Sequence, residues 1–103
     1  MITELVTFKL PAGATRESVF ANFEKTAEGW LKNPDLVRKY YLFDPVLSVA
    51  GGVYLWKERA HAEKWHGAEF REKVRALYGA EPQSQFFETP IVVENRAGVL
   101  EQY

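Results

Sequence analysis

Strand, helix, strand is written twice along this chain of 103 residues. Ile2, Val6, Phe8 and Leu10 fall on one parity while Thr3, Thr7 and Lys9 fall on the other, the period of a half-buried strand. Pro11 and Gly13 break it, Thr15 can cap the next element, and Val19, Phe20, Phe23, Ala27, Trp30 and Leu31 recur at helical spacing, which predicts a helix over residues 15–32. Asn33-Pro34-Asp35 ends that helix, and Leu36 to Phe43 reads as a second strand stopped by Asp44-Pro45. Ala50-Gly51-Gly52 then opens a third, Val53 to Trp56. Residues from Glu58 onward are rich in helix formers, and Phe70, Val74, Leu77 and Tyr78 continue as an apolar stripe that Gly79 can close, so a second helix is expected to bend or split near Gly67. Ser84 to Glu94 reads as a fourth strand that Pro90 confines to an edge or a bulge, and the tail from Arg96 to Tyr103 has no assignment.

This order is the ferredoxin-like βαββαβ arrangement of an α+β protein, in which two helices cover one face of a four-stranded antiparallel sheet. The other face then needs a cover. Leu5 stands on the polar parity of strand one, strand two sets Tyr40 and Leu42 against Tyr41 and Phe43, and strand three sets Val53 and Leu55 against Tyr54 and Trp56. Strands apolar on both parities imply two buried faces, and a chain this short has room for one domain, residues 1–103, and no second layer. A second copy packed sheet to sheet satisfies the pattern; a monomer with tyrosine hydroxyls facing water is the alternative. In the homodimer, Val99, Leu100 and Tyr103 of the tail could extend across the partner, or simply fray.

Composition narrows the function classes. Apolar residues make up 47% and charged residues 26% of the chain, the mixture of a globular protein rather than a disordered one. A formal net charge of −1 with no concentrated Lys/Arg stretch argues against a nucleic-acid partner or an anionic membrane surface. The absence of cysteine removes disulfides, thiolate nucleophiles and Cys-based metal sites, and with no signal-like or membrane-length apolar segment it suggests the reducing cytoplasm.

Ala50-Gly51-Gly52-Val53-Tyr54-Leu55-Trp56, followed by the Ala-rich Arg59-Ala60-His61-Ala62, resembles the glycine pair, aromatic third strand and helix of the dimeric α+β barrel superfamily. Within it the chain is similar to the small antibiotic-biosynthesis mono-oxygenase-like proteins of bacteria. The resemblance implies a homodimeric barrel, a pocket in each subunit between sheet and helices, and oxygenation of polycyclic aromatic compounds with no metal or flavin cofactor. The superfamily also holds isomerases, decarboxylases, haem-degrading enzymes and proteins with no known reaction, so fold alone does not assign the chemistry. On its own terms the glycine pair reads first as a turn between strands two and three, or else as a bulge entering strand three.

Candidate site residues are few. His61 and His66 lie about 140° apart on one helix, which disfavours a shared metal, and no other ligand-spaced cluster exists. His61 falls on the same side as Trp65, and a neutral imidazole there could take the proton from a phenolic or enolic substrate, the one demand that cofactor-free oxygenation makes of the protein. A pocket tyrosine is the alternative base, and a solvated helix histidine the bland reading. Trp56, Trp65, Tyr41 and Tyr54 are candidate walls for a planar aromatic ligand, although most aromatic side chains in so small a domain are core. Arg38 could orient an acidic ligand or pair with Glu4 across the sheet.

The reading with most support is therefore a cofactor-independent mono-oxygenase acting on a small aromatic or quinol-type compound. Its alternative is a non-catalytic binding or interaction domain whose pocket holds a small hydrophobic ligand. Haem degradation would call for an asparagine on strand one, where this chain offers Thr3 and Thr7, although Trp65 and His66 stand adjacent on the helix.

Overall fold

A computed structural model describes residues 1–102. Strand β1 (Ile2–Lys9) leads to helix α1 (Arg16–Leu31), strands β2 (Leu36–Asp44) and β3 (Val49–Trp56), helices α2 (Arg59–Trp65) and α3 (Ala68–Tyr78), and strand β4 (Gln83–Glu88). All pairings are antiparallel in the order β2-β3-β1-β4, the ferredoxin-like order, with β4 at one edge. Beyond Pro90 the chain leaves this sheet: β5 (Ile91–Glu94) pairs with β6 (Val99–Gln102) in a separate hairpin, so the fourth strand is shorter than the sequence suggested and the tail is a strand. Tyr103 lies outside the described residues, as do the side-chain surroundings of Leu100. No helix among the described residues is long and apolar enough to cross a membrane.

Local chemistry sets the boundaries. Thr15 and Ser18 form a reciprocal capping box at the start of α1. The second helical stretch splits where the composition suggested: the His66 amide donates to the Ala62 carbonyl at 2.9 Å, and Gly67 starts the next helix. Gly79, at φ 71°, closes α3. Between β2 and β3 the turn falls at Pro45–Ser48. The Asp44 carboxylate accepts the Val46 and Leu47 amides at 2.9 and 3.1 Å, and Ser48 adopts a φ of 54°. The glycine pair is thus not the turn. It lies inside β3, where it provides space: a Cβ on Gly51 would fall 1.8 Å from the Val6 carbonyl oxygen.

The core occupies the helix-facing side. Phe8, Val19, Ala50, Val74 and Tyr78 form one cluster and Val6, Tyr54, Trp56 and Ala62 another, with Phe70 packed against both. A register shift between Leu36 and Arg38 decides which β2 residues join it. Leu36 pairs opposite Trp56, but Arg38 pairs opposite Leu55, so the extra residue Val37 reverses the parity. Lys39, Tyr41 and Phe43 consequently face the helices, and Arg38, Tyr40 and Leu42 the open side.

Candidate active site

Between the sheet and helices α1 and α3 lies a cavity of about 450 Å³. Val6 and Phe8 of β1, Trp30 of α1, Tyr41 of β2, Tyr54 of β3 and Phe70 of α3 give it apolar and aromatic walls. The size suits a planar multi-ring ligand. Trp65 stands at its edge, its indole N–H donated to the Asp35 carboxylate at 2.9 Å. Three of the residues proposed as walls, Tyr41, Tyr54 and Trp65, are therefore brought together.

The fourth proposed wall, Trp56, and the other two candidates, His61 and Arg38, are not at the cavity. Trp56 is completely buried behind Tyr54, with ring centroids 5.7 Å apart and planes nearly parallel. His61 lies outside the lining, its Nε2 3.6 Å from Asp35. Arg38 is on the opposite face and pairs with Glu94 of β5, so neither ligand contact nor the expected pairing with Glu4 holds; the register shift sets Arg38 and Glu4 on opposite sides of the sheet.

Lys39 is the polar feature of the cavity that sequence reading missed. Its Nζ lies 3.7 Å from the Tyr41 ring centroid, 4.6 Å from Tyr54 and 4.8 Å from Trp30. No carboxylate pairs with it among the described residues, and burial alone pushes its ammonium down to about 7. Burial likewise raises both the Tyr54 and the Tyr41 phenols. The Thr26 hydroxyl donates to the Phe23 carbonyl at 3.1 Å, so the 2.6 Å contact between Thr26 and Tyr41 uses the proton of the tyrosine. Both phenols therefore hold their protons near neutral pH, whereas Lys39 can exchange one.

Behind the cavity wall sits a second polar group. Glu4, 0% exposed, accepts the Trp56 indole N–H at 3.0 Å and the His66 Nδ1–H at 2.6 Å through the same carboxylate oxygen. The His66 ring stands edge-on to Tyr54 at 4.3 Å and lies 4.0 Å from Phe70, so this pair braces two walls of the cavity. Glu4 occupies the apolar parity of β1 between Ile2 and Val6, which is the signal that could have found it. The inward direction of Lys39 had no such signal, because it depends on the shift at Val37.

No protein-family model matches the sequence, and no curated protein does. Solved structures do match. A cofactor-independent oxygenase, SnoaB of Streptomyces nogalater, superposes with a TM-score of 0.61 at 16% identity over 85% of this chain and 91% of its own; an asparagine-to-alanine mutant of it aligns at 20% identity over the same shares. A monooxygenase from the gene ActVA-Orf6 of Streptomyces coelicolor, in complex with the ligand nanaomycin D, superposes with a TM-score of 0.65 at 18% identity over 85% and 86%. The chain shares their fold. That fold is the one its element order and glycine-rich third strand pointed to, and identities this low carry the architecture and not the activity.

Proposed function

We propose that the chain is a cofactor-independent mono-oxygenase acting on a small planar aromatic compound of naphthol, anthrone or quinol type, and that it works as a cytoplasmic homodimer of one-domain subunits. The observation that carries this reading is the aromatic cavity of about 450 Å³ between sheet and helices, in a fold shared with an oxygenase and a monooxygenase. The reaction asks little of the protein beyond holding the ring and removing a proton. Deprotonation leaves an electron-rich carbon that bonds to one atom of O₂; the O–O bond then breaks and the other atom leaves as water. The substrate supplies the two hydrogens and four electrons, so no further reductant is needed. The dimer draws its support from the open sheet face, where Leu5, Val53 and Leu55 point away from the helices and Tyr40 and Phe87 are 53% and 55% exposed.

Gly29 provides a clean test. It lines the cavity from α1, and a Cβ there would meet no atom within 4 Å. Oxygen uptake is measured with naphthols, anthrones and quinols, with no flavin, haem or metal added. Uptake by the wild type that Gly29→Trp abolishes without loss of stability supports the reading; absence of uptake across the panel, or uptake unchanged in Gly29→Trp, contradicts it.

A further inference from the structure

We propose that Lys39 is the catalytic base of this cavity, taking the proton of a phenolic or enolic ligand and holding the resulting anion as its counter-ion. The inference rests on the oxygenase reading for the subsequent oxygen chemistry, but the acid–base step is a property of the cavity itself.

Geometry selects the residue. Lys39 is directed inward by the register shift in β2, and its ammonium is surrounded by the faces of Trp30, Tyr41 and Tyr54. A cation enclosed by rings and given no carboxylate lacks a counter-charge, which an anionic ligand supplies. Several exposed cations of the helices, by contrast, have a carboxylate partner: Lys32 with Glu28, Arg59 with Glu63, Arg71 with Glu81. The titratable and charged groups lining the cavity are Lys25 of α1, Lys39 and Tyr41 of β2, Tyr54 of β3, and Glu69, Lys73 and Tyr78 of α3. With the tyrosines neutral, three lysines face one glutamate, so the field also favours a negative ligand.

The proton balance is simple. A neutral Lys39 amine accepts the O–H proton of the ligand, giving an ammonium and a phenolate or enolate side by side. The depressed affinity of Lys39 for its proton keeps part of the residue neutral near pH 7, and the new anion raises that affinity at the moment of transfer. Phenols and enols acidified by a fused ring or a ring carbonyl are the matching class, because their acidity lies nearest that of the amine.

The test reads the ionisation of a bound ligand and needs no turnover. 4-Nitro-1-naphthol is coloured as the naphtholate and differs from the naphthol, and its methyl ether cannot ionise. Bound to the wild type, the dye is expected to titrate at least one pH unit, tenfold in proton affinity, below the same dye in solution, and to bind at least tenfold more tightly than the ether. Lys39→Met should lose both differences, and Lys39→Arg, which keeps a cation but accepts no proton, should keep the acid shift. A bound dye that titrates as in solution, or an acid shift that survives Lys39→Met, overturns the inference. Should Lys39→Met not fold, the dye-to-ether ratio in the wild type decides, a ratio near one overturning it. An acid shift without oxygen uptake supports Lys39 and removes the oxygenase reading; uptake without the shift does the reverse.

Discussion

The side chain of Lys39 crosses the neighbouring strand over Gly52, where a Cβ would stand 3.1 Å from Lys39 Cε and 3.0 Å from the Tyr40 carbonyl oxygen. The glycine pair thus has a division of labour. Gly51 lets β1 approach β3, and Gly52 leaves the path by which an amine enters the cavity.

Substitution should separate the two. Gly51→Ala must displace the β1 backbone and is expected to destabilise the protein by about 3 kcal/mol or more. Gly52→Ala meets the flexible Lys39 stem as well as a carbonyl, so its stability loss should be smaller, about 1 kcal/mol, while dye binding falls severalfold. Urea titration of both variants checks the order.

The buried Glu4–His66 pair predicts a second contrast. Glu4→Leu strands the His66 ring N–H and the Trp56 N–H together in the core and should cost about 3 kcal/mol or more. Glu4→Gln retains an acceptor for at least one of them and should cost less. Denaturant unfolding measures the difference; equal losses would show that the volume of the side chain, not its acceptors, matters.

Lys39 also ties stability to pH. Its ammonium is held near 7 in the folded protein against 10.5 when unfolded, so between these values the unfolded chain binds more protons and stability rises with pH. Below about 7 the folded state carries the buried charge and the penalty is complete. Lys39→Met removes it, so this variant should exceed the wild type by on the order of 2 kcal/mol at pH 6 and lose most of that advantage by pH 10. Melting curves at the two values test the sign.

His61→Ala should leave oxygen uptake within about twofold and stability within about 0.5 kcal/mol, since the ring stands outside the cavity beside Asp35.

Dimerisation is tested on the open face. Val53→Asp sets a charge between Leu5 and Tyr40 on that face and should halve the mass measured by light scattering; a wild type already monomeric would contradict the dimer.

Much of this architecture was legible because the patterns were local. Alternation in β1, the capping threonine, the break at Gly67 and the two-sided strands each lie within a few residues. The site was legible only in part. Tyr41, Tyr54 and Trp65 stand out as aromatic residues on the right elements, but one extra residue at Val37 exchanges the faces of Arg38 and Lys39. A bulge is set by how two strands pair, and nothing in the β2 sequence announces it. Glu4 is hidden for a different reason: a carboxylate in a strand resembles a surface residue even on an apolar parity, and its partner His66 is 62 positions away.

Oxygenation in this cavity is proposed to pass through the aromatic anion that Lys39 creates, so the base and the oxygen chemistry meet in one assay. Oxygen uptake is measured with an anthrone, with no added cofactor, for the wild type and for Lys39→Met. Uptake should rise with pH through about 7 and fall by about a hundredfold or more in the variant, the contribution of a positioned base. A folded Lys39→Met protein that consumes oxygen as fast as the wild type would remove Lys39 from the reaction.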